Sequence, residues 1–272
     1  SWTNIQFNEV TIGERIGGGA VGIVQKGWYK GREVALKTLF NCRVDDAVIQ
    51  EYMDELNVLS QLDHPNIVGL LGACVEPPNL FFVMELCLHS LFHLLHECRR
   101  SLSTKEILHM ALDVTKAMSY LHAHRPPIIH RDLKSLNLLQ SKEGGPLKLC
   151  DFGLVRTKVT SAGTPAYMAP ELLENRPFNK SVDVYAFGFL LWEMFSSEVP
   201  FRGYELSDIR EAVLSGTRPK VPRGECPEII RYLISRSWAE DQAQRPEFEE
   251  ILTALEKTLN EIPDATHLEV SY

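Results

Sequence analysis

The hydrophobic period of the chain changes once, near residue 85, and this change constrains the fold more than any other feature of the sequence. Up to about Glu85 the sequence is rich in Gly, Val and short alternating runs, with one helical stretch over about residues 45–62. Alternation sends successive side chains to opposite faces, so this part predicts a small sheet with one helix. From about Ser90 onward the spacing becomes helical. It is clearest over residues 104–122, where Ile107, Leu108, Ala111, Leu112, Val114, Met118 and Leu121 make one apolar face. Residues 80–87, Leu80-Phe81-Phe82-Val83-Met84-Glu85-Leu86-Cys87, carry the signature of a buried strand leading into a short connection. Two lobes meeting near that connection are expected, and a cleft between lobes is the default place for a small ligand.

The 272 residues are 44% hydrophobic and 24% charged, inside the globular range. No stretch reaches the roughly 18 uncharged apolar residues of a membrane-spanning helix, and Ser1-Trp2-Thr3-Asn4 lacks the basic and apolar regions of a signal peptide. With 28 Lys plus Arg against 36 Asp plus Glu, the net charge is -8, which argues against nucleic acid as a partner. A phosphate-bearing ligand remains compatible, because screening makes a few local cations and backbone N–H groups decisive. The six cysteines are scattered with no C-x-x-C pair, so they read as reduced thiols of a cytosolic or nuclear protein.

Four motifs carry chemistry. Gly17-Gly18-Gly19-Ala20-Val21-Gly22-Ile23-Val24 fits G-x-G-x-x-G-x-V between two predicted strands, and such a loop lets bare backbone approach a triphosphate. Alone the pattern is weak, since a plain Gly-rich hairpin satisfies it. A dinucleotide site needs the loop to open a helix, whereas the run to Trp28 and Tyr29 reads as strand. Val34-Ala35-Leu36-Lys37 alternates, which puts Ala35 and Lys37 on one face. A lysine there contacts phosphates when an acid fixes it, and the acid is expected on the only helix of the small lobe: Glu55, with Glu51 one turn earlier as the rival. His130-Arg131-Asp132-Leu133-Lys134-Ser135-Leu136-Asn137 follows the long helix and the stop signal Pro126-Pro127, and so belongs to a loop. In it Asp132 suits the orienting of a substrate hydroxyl and the acceptance of its proton, Lys134 the steadying of a phosphoryl group, and Asn137 the offering of an amide oxygen to Mg²⁺. Asp151-Phe152-Gly153 ends a strand predicted over residues 147–150 and supplies a charged oxygen for a hard cation. Either acid taken singly reads as a buried structural Asp; four motifs in this order do not.

On these residues the chain resembles a eukaryotic protein kinase domain from about residue 2 to residue 259. Ala169-Pro170-Glu171 resembles the close of the activation segment, 183–188 the buried helix below the catalytic loop, and Asp241 with Arg245-Pro246 the late arginine motif. The strings around Trp28, His64-Pro65-Asn66-Ile67-Val68 and residues 163–168 are similar to the tyrosine-kinase-like group, the Raf-like and mixed-lineage Ser/Thr kinases. The resemblance implies an α+β bilobal kinase fold. Its small antiparallel-sheet N-lobe with one main helix would occupy about 1–86, its hinge about 84–90 and its larger, mainly helical C-lobe about 88–272. ATP and Mg²⁺ are implied, with Asn137 and Asp151 on the metal, and Asp132, Lys134, Asn137, Lys37 and Glu55 as the catalytic set. Nucleotide contacts are implied for Ile16, Gly17, Gly18, Gly19, Ala20, Val21, Gly22 and Lys37. Val24, Ala35 and Leu139 would enclose adenine, backbone groups of Glu85 and Cys87 would dock it, and Met84 would be the gatekeeper. Glu171 would pair with Arg245, and Asp183 would bind the catalytic-loop backbone.

Three features depart from the family pattern: Val21 in place of an aromatic, Leu136 before Asn137, and a short segment from Asp151 to Glu171. The resemblance also gives Arg131 the role of pairing with a phosphate on Thr157, Thr160 or Ser161. His89, His93 and His96 carry a spacing compatible with metal binding but read as ordinary helix residues, because no fourth ligand is apparent. The run from Glu247 to Glu250 reads as a helix start with favourable dipole interactions. The expected function is Ser/Thr protein kinase in the cytoplasm, acting on a protein hydroxyl. A scaffolding pseudokinase and a dual-specificity or tyrosine kinase are the alternatives; Lys134 and Gly163-Thr164 resemble the Ser/Thr pattern.

Overall fold

A computed structural model describes residues 2–18, 22–39, 45–151 and 164–263. Gly19, Ala20 and Val21 of the Gly-rich loop, Phe152 and Gly153, and the expected modification sites Thr157, Thr160 and Ser161 lie outside the described residues. The chain divides into two compact units, Ser1–Leu91 with Leu136–Ala162, and Phe92–Ser135 with Gly163–Tyr272.

In the first unit β1 (Val10–Gly18), β2 (Gly22–Tyr29), β3 (Arg32–Leu39), β4 (Leu70–Glu76) and β5 (Asn79–Glu85) form an antiparallel sheet of order β1-β2-β3-β5-β4. Lys30 and Gly31 join β2 to β3 with φ of 50° and 74°, the left-handed pair that matches the twist of the two strands. The alternation read from Val34-Ala35-Leu36-Lys37 is realised: Val34 and Leu36 turn into a core with Ile5, Cys74, Phe81 and Val83, which leaves Ala35 and Lys37 to the other face. The run after the Gly-rich loop is strand β2, as expected, with Gly17 opposite Val24 and Gly18 opposite Ile23.

Helix α1 (Asp46–Leu59) begins at Asp45, whose carboxylate accepts the Val48 N–H at 2.9 Å. It ends three residues before the expected position, because the Gln61 and Leu62 N–H groups close tighter bonds to the Val58 and Leu59 carbonyls. Tyr52 fastens α1 to the sheet. Its ring stacks on Phe82 at 4.6 Å, and its hydroxyl lies 2.7 Å and 2.8 Å from the Cys74 and Phe81 carbonyls. Strands β6 (Leu138–Gln140) and β7 (Leu147–Leu149) pair as a hairpin. β7 stops short of Cys150, whose N–H turns to the Asn137 carbonyl at 2.9 Å.

The second unit is helical. Helix α2 (Thr104–His122) has the limits its sequence period predicts, and all seven residues of the predicted face are buried. Its start is a reciprocal cap: Ser103 Oγ accepts the Glu106 N–H at 3.1 Å, and the Glu106 carboxylate accepts the Ser103 N–H at 2.9 Å. Ser103→Ala is expected to lower stability by about 1 kcal/mol in chemical denaturation. Glu106→Gln should cost less, because its amide oxygen still accepts from Ser103; equal losses would refute this cap.

Helices α3 (Pro170–Leu173), α4 (Ser181–Ser196), α5 (Leu206–Leu214), α6 (Glu228–Ser237) and α7 (Phe248–Glu261) complete the unit. α7 starts at Glu247 with Glu249 and Glu250 in its first turn, as the acidic run predicts. α4 is apolar all round, and every residue from 182 to 194 is buried. α4 packs on α6 at Gly188, where a Cβ would come within 3.0 Å of the Ser237 Cβ and 3.2 Å of the Trp238 nitrogen. Two carboxylates, Asp183 and Glu193, lie inside this apolar helix and must be matched by donors. Among the described residues no helix is long and apolar enough to cross a membrane.

Candidate active site

The first unit holds a polar cluster around Lys37. Lys37 Nζ lies 2.9 Å from Glu55 Oε1 and 3.6 Å from Asp151 Oδ1, with a quarter of the lysine side chain exposed. The fold brings these three together for legible reasons. Strand alternation turns Lys37 away from the sheet core, and Tyr52, one turn before Glu55, pins α1 against β4 and β5. Glu51, the rival acid, is exposed. Burial alone would push the Lys37 ammonium down; Glu55 and then Asp151 outweigh it and hold the pKa well above the usual lysine value. Lys37 is therefore a fixed cation.

Asp151 takes a left-handed backbone, φ 63°, and is exposed. Its neighbour Cys150 is tied to Asn137 through the backbone bond already described, and Asn137 is 6% exposed. A carboxylate and an amide oxygen are hard donors that fit Mg²⁺, which takes one or two carboxylates and completes its shell with water and phosphate oxygens. Among the described residues no group of three or more His, Cys, Asp or Glu is arranged to hold a metal ion.

The expected adenine contacts fall on the same unit. Val24 pairs with Lys37, Ala35 with Met84, and Leu139 with Lys148; Ile16 is half exposed on β1. Glu85 ends β5 and is held on both its backbone and its side chain. Its N–H donates to the Gly69 carbonyl at 2.9 Å, and its carboxylate accepts from the Gly69 N–H at 3.1 Å and from Lys148 Nζ at 2.6 Å. Burial, and then the Glu85 carboxylate, push the Cys87 thiol up to about 11 against the opposing Lys148, so it stays neutral near pH 7.

The second unit holds a cluster around Asp132. Asp132 Oδ1 accepts from Thr164 Oγ1 at 3.2 Å, Lys134 Nζ is 2.5 Å from that same hydroxyl, and Lys134 Nζ stands 3.5 Å from Asp132 Oδ2. An aliphatic hydroxyl thus already donates to Asp132. The loop carrying Asp132 is held by the first turn of α4: Asp183 Oδ2 accepts the His130 N–H and Oδ1 the Arg131 N–H, both at 2.9 Å. These bonds support Arg131 in a left-handed backbone, φ 72°, a conformation that persists in a non-glycine residue only when its surroundings enforce it. His122 Nε2 adds a third contact to Asp183 at 2.8 Å, and the Asp132 N–H meets His130 Nδ1 at 3.1 Å.

Glu171 and Arg245 pair across the unit through two bonds while both are buried, so the pairing expected from the resemblance is present. The histidines have separate partners. His93 faces Glu97 and Cys98, and His96 contacts Glu193 at 2.7 Å. Residues 93–97 form a π-type turn. Glu193 belongs to none of the motifs above, yet a carboxylate between Trp192 and Met194 in an apolar run is a visible signal.

An antiparallel sheet with one helix, followed by a helical unit whose buried helix holds an Asp132–Lys134 loop, defines a protein kinase domain. The family described as protein tyrosine and serine/threonine kinase matches residues 10–255, and the chain belongs to it. A probable serine/threonine-protein kinase of Dictyostelium discoideum is 40% identical over 268 residues, 95% of this chain and 28% of its own length. In Arabidopsis thaliana the probable serine/threonine-protein kinase SIS8 is 40% identical over 262 residues, 93% of this chain and 25% of its own. Serine/threonine-protein kinase CTR1 of the same plant is 38% identical over 263 residues, covering 93% of this chain and 32% of its own length. The chain therefore spans a quarter to a third of these relatives. They agree with membership of the tyrosine-kinase-like group.

Proposed function

We propose that the chain is an active Ser/Thr protein kinase that transfers the γ-phosphoryl group of Mg-ATP to protein hydroxyls. The observation that carries the reading is the Asp132–Lys134–Thr164 cluster. A carboxylate there receives a hydroxyl proton donor while a fixed cation stands at the same oxygen, the arrangement a Ser or Thr nucleophile needs when it attacks phosphorus. Asp132 orients the incoming hydroxyl and accepts its proton, and Lys134 offsets charge on the moving phosphoryl group. Lys37, fixed by Glu55, holds α- and β-phosphate oxygens beside the Gly-rich backbone. Asn137 and Asp151 would hold Mg²⁺, which when bound neutralises phosphate charge. Met84, Glu85 and Cys87, with Val24, Ala35 and Leu139, would receive the adenine. The reading divides the chain into an N-lobe of about 1–86 and a C-lobe of about 88–272.

The intact Lys37–Glu55 pair and the complete Asp132, Asn137 and Asp151 positions support an enzyme over a pseudokinase scaffold. The cytoplasm is proposed as the place of work, a reading that rests on the scattered spacing of the six cysteines. An arrayed peptide library with radiolabelled ATP tests the reading: label on Ser and Thr peptides is expected, and label confined to Tyr peptides, or none, would refute it. Lys37→Met is expected to weaken ATP use strongly and Glu55→Gln less, since Glu55 acts through the lysine. Their double variant should be no worse than Lys37→Met alone. Independent, additive losses in kcat/KM would show that the ion pair has no part in turnover.

A further inference from the structure

We propose that Cys98 is a modification site that forms a mixed disulfide with a small anionic disulfide of the glutathione type, with His93 as its base and Glu97 orienting that base. The inference goes beyond the phosphoryl-transfer reading and does not rest on it. The local sequence is His93-Leu94-Leu95-His96-Glu97-Cys98-Arg99-Arg100, and its first five residues form the π-type turn described above. In an α-helix the fifth residue onward lies about 140° around the axis from the first, which would turn Cys98 away from His93. Here the Cys98 N–H donates to the His93 carbonyl at 2.9 Å, five residues back, and the wider turn carries the thiol round to the imidazole. Cys98 Sγ lies 3.1 Å from His93 Nε2, and His93 Nδ1 faces Glu97 Oε2.

The order of these contacts assigns the roles. A carboxylate only accepts hydrogen bonds, so the Nδ1 that faces Glu97 carries the hydrogen and Nε2 turns its lone pair to the thiol. The two ring nitrogens serve different partners, so thiol, imidazole and carboxylate stand in line and do not converge on a metal ion. Buried Leu94 and Leu95 anchor the turn, while Cys98 and Glu97 are exposed and His93 is half-buried. Among the described cysteines Cys98 is the exposed one; Cys74 and Cys226 are buried. Arg99, next in the chain and also exposed, adds a positive charge that favours an anionic partner. In the reaction Nε2 takes the Cys98 proton as Sγ attacks one sulfur of the disulfide. The new S–S bond forms as the old one breaks, and the departing thiolate collects the proton from Nε2 and leaves as a thiol. Cys98 is thereby oxidised and the leaving half of the disulfide reduced, while Glu97 steadies the imidazolium between the two proton transfers.

Incubating the intact chain with glutathione disulfide at pH 7, quenching with acid and mapping peptides by mass spectrometry gives the rate of adduct formation at each cysteine. Cys98 is expected to react first, and dithiothreitol to reverse its adduct. His93→Gln fills the place of the imidazole without a basic nitrogen. It should slow the Cys98 reaction about tenfold, since an unassisted thiol is only a few per cent thiolate near neutral pH. Glu97→Gln removes the charge behind the imidazole and should fall between the two. Both side chains reach solvent, so the melting temperatures of these variants should stay close to that of wild type. Arg99→Gln should slow the reaction with glutathione disulfide but not with the neutral 2-hydroxyethyl disulfide. A Cys98 rate unchanged in both His93→Gln and Glu97→Gln would show that exposure alone sets it and would overturn the proposal. Faster adduct formation at Cys87 or Cys150 would also overturn it, and equal effects of Arg99→Gln on both disulfides would overturn the preference for an anionic partner. The readout needs no phosphoryl transfer, so it decides the site whether or not the chain proves to be an active kinase.

Discussion

Asp132→Asn is expected to lose at least about 10²-fold in phosphoryl transfer while keeping its fold. The amide preserves the shape and the acceptor oxygen that meets Thr164 Oγ1 at 3.2 Å, so the local hydrogen bonding survives. It loses the negative charge and the proton affinity that a general base supplies. The Asp132 N–H bond to His130 and the Asp183 bonds to the loop backbone do not involve the Asp132 side chain, so the loop should hold its course. Thermal melting of the variant should lie close to wild type, and nucleotide affinity should be unchanged because Lys37, Glu55 and Asp151 are untouched. A variant retaining more than about a tenth of the rate would remove Asp132 from the proton-accepting role.

Arg245→Met should produce the largest loss of stability, about 3–5 kcal/mol. The Arg245 side chain is fully buried in its pair with Glu171, and it also donates to the Ala239 carbonyl at 2.9 Å and lies 5.1 Å from the Tyr185 ring centroid. Removing it strands the Glu171 carboxylate, 1% exposed, without its cation. The penalty arises from the orphaned charge more than from the lost attraction, so Glu171→Leu added to Arg245→Met should recover part of the loss. Differential scanning calorimetry should show a drop on the order of 10 °C for the single variant and a smaller one for the double. A double variant that falls by the sum of both singles would show that the two side chains act separately.

Most of the fold was legible because hydrophobic period reports burial directly. Helix α2 has its predicted limits because a capping box marks its start and one continuous apolar face runs its length. The strands around Lys37 were legible for the same reason, since Val34 and Leu36 alternate with Ala35 and Lys37. Boundaries were less legible where tertiary bonds compete with the local pattern. The Cys150 N–H leaves its strand for the Asn137 carbonyl, and α1 tightens at Gln61 and Leu62. Local spacing left Glu51 and Glu55 as alternatives, and the choice came from how Tyr52 seats α1 on the sheet. The link from His96 through Glu193 to Tyr167 spans elements far apart in the chain, and no periodic signal encodes such a meeting.

The most direct measurement incubates the purified chain with Mg-ATP and an excess of a Ser-containing peptide, and counts phosphoserine formed per protein molecule by mass spectrometry. The account predicts many turnovers for wild type, almost none once Mg²⁺ is chelated, and almost none for Asp132→Asn. Phosphoserine forming as fast with Asp132→Asn as with wild type, or no phosphoserine from wild type across a varied peptide set, would contradict it.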